Sequence, residues 1–187
     1  MSRIIAGVAG GSRLASVKGQ NTRPTTDRVK EALFSRLETY DVVRDAHVLD
    51  IFAGSGALGL EAASRGAAAV TLVDRDHAAL EACTRNRRTL EKSGVPARIQ
   101  VVSSSAATYL KRGEGPWDLV FVDPPYAMSE AELKTLLEVM APSLAGDAVV
   151  VVERSTRSLE PEWGTSLRRF GHRTYGETSL WFAEPEA

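Results

Sequence analysis

The sequence predicts an α/β protein built around a mostly parallel sheet with helices on both faces. Between residues 47 and 152, short apolar runs typical of buried strands alternate with patterns typical of amphipathic helices. This alternation favours parallel strands joined by crossover helices. A glycine turn, Gly54-Ser55-Gly56, separates the first apolar run from the helix that follows it. Such a turn lets the backbone approach a ligand and presents free helix N–H groups, so it indicates a nucleotide-like ligand.

The N-terminal segment has a different pattern. Two short runs at residues 3–8 and 13–17 flank Gly10-Gly11-Ser12, and a glycine pair between strand-like runs favours a β-hairpin. Pro24-Thr25-Thr26-Asp27 is typical of a helix start, because Thr caps helices and Asp complements the helix dipole. Apolar residues then recur at four-residue spacing and predict one buried helix face: Val29, Leu33 and Leu37.

We therefore expect an appendage at residues 1–40 and a main domain at residues 41–187. The main domain has seven predicted strands: Val48–Phe52, Ala69–Val73, Ile99–Val102, Asp118–Val122, Ala148–Val152, Thr165–Arg173 and Thr178–Ala183. Its predicted helices are Leu58–Arg65, His77–Leu90, Ala106–Leu110 and Ala131–Met140. The last two strands are joined near Tyr175-Gly176 and should form an antiparallel hairpin.

The composition excludes several classes of protein. A length of 187 residues with 43% hydrophobic and 25% charged residues suits one globular domain. The single cysteine, Cys83, excludes a disulfide framework and predicts a reducing, cytoplasmic setting. No stretch is long and apolar enough to span a membrane. We expect no metal, because His47, His77 and His172 lack the spacing of metal ligands.

Charge is distributed unevenly along the chain. Residues 1–30 hold six cations against Asp27 alone, a net charge of +5, so residues 31–187 carry −6 of the total of −1. The six cations are Arg3, Arg13, Lys18, Arg23, Arg28 and Lys30. A basic arm on an acidic body is suited to contacting phosphates, although a solvated charged surface is the simpler alternative.

Two acidic residues near the glycine turn narrow the choice of ligand. The spacing of Gly54, Gly56 and Gly59, with Asp74 downstream, matches a dinucleotide fingerprint. A carboxylate at Asp50, however, suits a cationic ligand such as S-adenosylmethionine, unless it only caps the loop. Asp74 is predicted to accept bonds from ribose hydroxyls, with capping of the next helix as the alternative.

The most specific motif is Asp123-Pro124-Pro125-Tyr126, which follows a predicted buried strand. Two prolines stiffen the turn and remove two backbone donors. The Asp123 carboxylate and the Pro124 carbonyl are then acceptors suited to an exocyclic –NH₂ group of a nucleobase, and Tyr126 offers a face for stacking. Because the ligands of open α/β sheets bind at the carboxyl ends of the strands, we expect this motif, Asp50 and Asp74 to line one crevice.

These motifs support a family resemblance. Asp50-Ile-Phe-Ala-Gly-Ser-Gly and Asp123-Pro-Pro-Tyr resemble two motifs of the amino-group methyltransferases that use S-adenosylmethionine. Arg3-Ile-Ile-Ala-Gly, Gly11-Ser-Arg-Leu and Arg23-Pro-Thr-Thr-Asp-Arg resemble the RsmD family, and the resemblance covers nearly the whole chain. It implies a Rossmann-like, class I methyltransferase fold. The fold has a seven-stranded, mostly parallel sheet, a C-terminal antiparallel hairpin and an N-terminal hairpin and helix.

The resemblance also implies an activity, which is methyl transfer from S-adenosylmethionine to the N2 amine of one guanine in bacterial 16S rRNA. We expect a cytoplasmic monomer that acts on 16S rRNA within a 30S subunit or an assembly intermediate. The predicted catalytic residues are Asp123, Pro124 and Tyr126. The predicted cofactor-binding residues are Asp50, Phe52, Gly54, Gly56, Asp74, Arg75, Ser104, Ser105 and Asp123. The predicted RNA-binding residues are Arg3, Arg13, Arg23, Thr25, Asp27, Arg28 and Tyr126.

Other functions stay open at this point. Adenine-N6 methyltransferases share the Asp-Pro-Pro-Tyr motif but usually carry a recognition domain, for which this chain has no room. A nicotinamide-dependent oxidoreductase would fit the glycines and Asp74 but would not need Asp50 or the Pro-Pro-Tyr turn. A non-enzymatic RNA-binding protein with a vestigial cofactor site is a further alternative.

Overall fold

A computed structural model describes residues 2–19 and 25–187 of the chain. Its strands are β1 His47–Asp50, β2 Ala69–Asp74, β3 Arg98–Ser103, β4 Trp117–Val122, β5 Leu144–Ser155, β6 Leu167–Tyr175 and β7 Thr178–Pro185. Its α-helices are α1 Asp27–Thr39, α2 Ala57–Ser64, α3 His77–Lys92, α4 Ala106–Leu110 and α5 Glu130–Met140. A 3-10 turn, Ala141–Ser143, leads into β5.

The seven strands form one sheet in the order β3-β2-β1-β4-β5-β7-β6. Strands β1 to β5 run parallel to one another, and β7 lies antiparallel between β5 and β6. The strand order reverses between β1 and β4, which is where open parallel sheets bind their ligands. The predicted seven-stranded sheet and its C-terminal antiparallel hairpin are therefore confirmed.

Two hydrophobic layers cover the sheet, and alternation along the strands decides which residues enter each layer. Val48 of β1 and Phe121 of β4 belong to the layer packed against α1, α2 and α3. Leu49 of β1 and Val122 of β4 belong to the layer packed against α4 and α5. By this alternation, the residues that follow Leu49 and Val122, which are Asp50 and Asp123, lie on the α1–α3 face.

The N-terminal segment folds back on itself as the predicted hairpin, which is short and irregular. One antiparallel bridge joins Arg3 and Arg13. Three backbone hydrogen bonds of 2.8–2.9 Å accompany it between the two arms. The next N–H groups, those of Ile5 and Ala6, donate instead to the Glu61 carboxylate, at 2.9 and 3.1 Å. Because these donors bond to α2, the hairpin lies against the helices.

Helix α1 begins where the Thr-Thr-Asp pattern predicts. Thr26 is its N-cap residue and accepts a hydrogen bond from the backbone N–H of Val29. Its predicted apolar face is buried in the α1–α3 layer, with Leu33 and Leu37 at most 1% exposed. The N-terminal end of α1 is thereby fixed near the carboxyl ends of the central strands, since Thr25 contacts β5 there.

Candidate active site

The glycine loop joins β1 to α2 and leaves open space on one side. Gly54 has a φ of +56°, and a Cβ at this position would meet no atom within 4 Å. A Cβ at Gly59 would instead lie 2.5 Å from the Leu72 side chain. Gly54 therefore leaves room for a ligand beside the loop, whereas Gly59 lets α2 pack closely on β2. Gly56 is the N-cap residue of α2, at a φ of +84°.

Asp50 lies at the carboxyl end of β1 and is only 2% exposed. One carboxylate oxygen accepts the backbone N–H of Gly59 at 3.0 Å, so Asp50 does bond to the segment after the loop. Burial raises the pKa of Asp50 to about 7, the Gly59 bond opposes this, and the charges of Asp74 and Glu153 raise the pKa further. A cationic ligand beside Asp50 would favour its ionised form.

Asp74 lies at the end of β2 and accepts a hydrogen bond from the glycine loop. Its carboxylate accepts the backbone N–H groups of Gly54 and Asp76, both at 2.9 Å. The N-cap residue of α3 is Asp76, whose side chain accepts from Ala79. The alternative role of Asp74 as the cap of that helix is therefore wrong, and Asp74 remains a candidate for binding ribose.

The other predicted cofactor-binding residues lie around the same strand ends. Phe52 is half-buried and packs on the α4–α5 layer, and Arg75 is exposed after β2. Ser105 is the N-cap residue of α4, and its hydroxyl accepts the backbone N–H of Thr108 at 3.2 Å. The Ser104 N–H donates to the carbonyl of Asp74 at 3.1 Å, which places the end of β3 beside Asp74.

The Asp123-Pro-Pro-Tyr segment begins directly after β4, and a short loop carries it into α5. The N–H of Met128 donates to the carbonyl of Pro125 at 3.0 Å. A capping box between Ser129 and Glu132 then begins α5. Tyr126 is 89% exposed, so its ring is free to pack against a ligand.

Sequence patterns missed one residue of this site, Glu153. It lies in β5, beyond the predicted end of that strand at Val152. Its carboxylate accepts the hydroxyl of Thr25, with oxygen–oxygen distances of 3.1 and 3.2 Å. Burial raises the pKa of Glu153, and the bond from Thr25 opposes the rise.

Asp123 is coupled electrostatically to this second carboxylate. Partial burial raises the pKa of Asp123 well above its usual range, the charges of Glu153 and Asp50 raise the pKa further, and Arg154 opposes them. The Asp123 side chain is exposed at the open crevice, where a ligand can reach it. Arg154 itself is paired with Glu130 at the start of α5. Three carboxyl groups with raised pKa values, Asp50, Asp123 and Glu153, therefore lie at this edge of the sheet.

The predicted RNA-binding residues are only partly brought together. Thr25 contacts the crevice through Glu153, and Arg3 forms an ion pair with Asp27 at 2.9 Å. Arg13 and Arg28 are exposed. Arg23 lies outside the described residues.

Cys83 and Trp181 are buried residues that do not belong to the proposed site. Cys83 is fully buried, its thiol donates to the carbonyl of Gly54, and burial raises its pKa. Trp181 is buried in β7 and stacks on His172.

Within residues 2–19 and 25–187, no group of three or more acidic, His or Cys side chains is arranged to hold a metal. No helix in that part of the chain has the length and apolarity to cross a bilayer.

A cavity of about 330 Å³ lies at the opposite, amino edge of the sheet. Its lining includes His47, Arg98, Gln100 and Trp117. We place the site at the carboxyl edge instead, because the predicted motifs converge there and open parallel sheets bind their ligands at that edge.

Comparison with known families decides the classification. A family described as "Conserved hypothetical protein 95" matches residues 2–184. The chain belongs to this family, the RsmD family. The predicted resemblance is therefore confirmed over nearly the whole chain.

Individual relatives support this membership. "Ribosomal RNA small subunit methyltransferase D" of Escherichia coli K12 is 43% identical over 151 residues, which cover 81% of this chain and 73% of the relative. The protein of the same name from Haemophilus influenzae is 38% identical over 170 residues, 89% of this chain and 86% of the relative. The solved structure of yhhF from Escherichia coli is 35% identical, with a TM-score of 0.83, covering 98% of this chain and 97% of that one.

Proposed function

We propose that this protein transfers a methyl group from S-adenosylmethionine to the N2 amine of a guanine in the RNA of the small ribosomal subunit. The observation that carries the proposal is the convergence of Asp50, Asp74 and the Asp123-Pro-Pro-Tyr segment at one edge of the sheet. The curated relatives named as methyltransferases of small-subunit rRNA support the class of substrate.

The residues at this edge fit S-adenosylmethionine. Gly54 leaves open space beside the loop, the Asp50 carboxylate favours a cationic group, and the Asp74 carboxylate offers acceptors for ribose hydroxyls. When bound, this cofactor supplies an electrophilic methyl group on a positively charged sulfur. The carboxyl groups of Asp50, Asp123 and Glu153, whose negative charges repel one another, favour a ligand of this charge over a pyrophosphate.

Asp123 and Pro124 position the acceptor amine in this proposal. The Asp123 carboxylate and the Pro124 carbonyl each accept one N–H of the amine, which directs the nitrogen lone pair away from both oxygens. Because burial and the charges of Glu153 and Asp50 raise the pKa of Asp123, its carboxylate is a stronger base than an ordinary aspartate. It can therefore take the proton that the nitrogen would lose once the new N–C bond has formed and the bond between the methyl carbon and the sulfur has broken.

Tyr126 holds the base. Its ring is 89% exposed at the mouth of the crevice and offers a flat face on which guanine can stack. The base must be single-stranded or flipped out of a helix, because its N2 amine is otherwise paired. Catalysis then depends on orientation and electrostatics, and the buried Cys83 takes no covalent part.

The proposal is tested by locating the transferred methyl group. The protein is incubated with methyl-labelled S-adenosylmethionine and, separately, with 30S subunits lacking the modification, naked 16S rRNA and duplex DNA. The products are then digested to nucleosides. We expect N2-methylguanosine from the 16S rRNA, with assembled or partly assembled particles as the better substrate. Label found only in DNA, or only as N6-methyladenosine, would overturn the proposal.

A binding measurement separates this function from the oxidoreductase alternative. Calorimetric titration should detect binding of S-adenosylhomocysteine and no binding of NAD, because the Asp50 and Asp123 carboxylates disfavour a pyrophosphate. Binding of NAD alone would contradict the assignment of the cofactor.

A further inference from the structure

Glu153 lies beside the proposed catalytic residue on the neighbouring strand. The parallel register of β4 and β5 pairs Val122 with Val152. The next residues in the chain are Asp123, directly after the end of β4, and Glu153 of β5, and both follow a valine of the α4–α5 layer. Side chains alternate along a strand, so both carboxylates lie on the α1–α3 face at the carboxyl edge.

The Glu153 carboxylate is held in a fixed orientation. The Thr25 hydroxyl lies 3.2 Å from Oε1 and 3.1 Å from Oε2 and donates to the carboxylate. Thr25 is the residue before the N-cap of α1, and α1 is packed in the core. A donated hydrogen bond favours the ionised form of a carboxylate, in which it can only accept further bonds.

No cation within residues 2–19 and 25–187 forms an ion pair with Glu153. The adjacent Arg154 bonds to Glu130 of α5 instead. Glu153 is only half-buried, so its remaining lone pairs can be reached from the crevice. This edge therefore holds two neighbouring carboxylates, Asp123 directly after β4 and Glu153 in β5, and Pro124 follows Asp123.

We propose that Glu153 selects guanine by accepting a hydrogen bond from its N1–H while Asp123 and Pro124 accept the N2 amine. The inference rests on the proposed function. Guanine presents two adjacent donors on this edge, N1–H and N2–H₂. Adenine instead presents an unprotonated N1 beside its N6 amine. A carboxylate facing that nitrogen meets a lone pair rather than a proton, so adenine loses one hydrogen bond and is repelled.

The proposed role of Glu153 predicts a different result from a role in supporting the fold alone. A merely structural carboxylate would bind all bases equally, whereas an acceptor aimed at N1–H must discriminate by the proton on N1. Sites built around a substrate hydrogen bond reject analogues that lack it by up to roughly 10⁴-fold. We expect about 10²-fold here, because Glu153 is half-buried and water can partly replace the lost bond.

The test replaces the target guanine by 2-aminopurine in 30S particles assembled on ligated 16S rRNA. This base keeps the N2 amine but has a lone pair on N1. The quantity measured is the ratio of kcat/KM for guanine to kcat/KM for 2-aminopurine. The wild-type ratio should be about 10². In Glu153→Gln the ratio should fall at least tenfold, because the amide oxygen still accepts from guanine and the amide nitrogen can donate to N1 of 2-aminopurine.

Two further variants complete the design. Glu184→Gln makes the same chemical change in β7, where Glu184 pairs with Arg168, and should keep the wild-type ratio. Thr25→Val removes the hydroxyl that orients Glu153 and should give an intermediate ratio. Loss of the O6 atom in 2-aminopurine affects all variants alike, and the ratio does not depend on the fraction of active protein.

The outcomes distinguish this inference from the proposed function. If the wild-type protein forms N2-methylguanosine and Glu153→Gln keeps the wild-type ratio, the role of Glu153 is overturned and the function stands. If the wild-type protein forms no N2-methylguanosine on any particle, the function and the inference both fail.

Discussion

Two groups of carboxylates in this protein differ in how their negative charge is balanced. Glu61 in α2 is completely buried, and it contacts Lys30 at 3.4 Å and Arg65 at 2.8 Å. Its oxygens also accept the backbone N–H groups of Ile5 and Ala6. Positive charge and hydrogen bonds therefore surround this carboxylate on all sides, and it joins the N-terminal segment, α1 and α2.

The carboxylates of the crevice lie on the same face of the sheet but lack cationic partners. Within the described part of the chain, no Lys or Arg side chain forms an ion pair with Asp50, Asp123 or Glu153. Instead, the three raise one another's pKa values or have them raised by burial. Their negative charge is available to a cationic ligand and to the N–H donors of a base.

The difference shows where this fold uses charge for stability and where it uses charge for function. Removing Glu61 would take away the ion-pair partner of the buried Lys30 and one of the three carboxylates that pair with Arg65, and a broken buried pair is strongly destabilising. Removing a crevice carboxylate would instead relieve repulsion. Functional sites are commonly less stable than the surrounding fold for this reason.

The largest effect is expected for Asp123→Ala. Methyl transfer to 30S subunits should fall by about 10³-fold, because the amine loses one of its two acceptors and its proton acceptor. The free energy of unfolding should be unchanged or higher, since repulsion with Glu153 and Asp50 is relieved. Labelled methyl incorporation and urea denaturation measure the two quantities.

Binding of S-adenosylhomocysteine is the control for Asp123→Ala and should survive the substitution. Full methyl transfer by this variant would contradict the proposed mechanism.

The second-largest effect is expected on stability, from replacing the buried Glu61. Glu61→Gln should lower the free energy of unfolding by about 3–5 kcal/mol, because Lys30 stays buried after the loss of its ion-pair partner Glu61. The matched control is Glu38→Gln, which alters an exposed partner of Arg65 and should cost no more than about 1 kcal/mol. Equal losses in the two variants, measured by urea denaturation, would show that the buried network is not needed for stability.

The smallest effect is expected for Tyr126→Ala. KM for the RNA substrate should rise about tenfold, since stacking on an aromatic ring contributes roughly 1–3 kcal/mol per base. The midpoint of thermal unfolding should not move, because the ring is 89% exposed. Tyr126→Phe keeps the flat face and should have a KM near that of the wild type. A large drop in unfolding temperature for the alanine variant would assign the ring to packing instead.

Sequence patterns predicted the parts of this molecule that depend on local order. The alternation of strands and helices, the glycine loop and the Thr26 cap all depend on neighbouring residues, and each is present in the structure. The N-terminal hairpin is present but shorter than its two predicted runs, because the backbone donors of Ile5 and Ala6 bond to a side chain more than 50 residues away.

Glu153 was missed for a similar reason. The predicted strand ended at Val152, whereas β5 continues to Ser155. Its bond to Thr25 spans 128 residues, and no periodicity in the sequence connects two such positions. Its place beside Asp123 follows only from the register of two parallel strands.

Proton release on cofactor binding tests most directly whether the crevice carboxylates are reserved for a cationic ligand. The pKa of Asp50 is raised from its ordinary value of 3.8 to about 7 in the unliganded protein. The protonated form therefore predominates below pH 7 and the ionised form above it. The ammonium group of S-adenosylhomocysteine should favour the ionised form, so affinity should rise with pH through about 7 and then level off.

Calorimetry at pH 7 in two buffers of different ionisation enthalpy measures the protons released. We expect the wild-type protein to release about half a proton per S-adenosylhomocysteine bound, because a group with a pKa of about 7 is then half protonated. Asp50→Asn should release none. Binding by the wild-type protein without proton release, at an affinity that does not change between pH 6 and pH 8, would contradict the account.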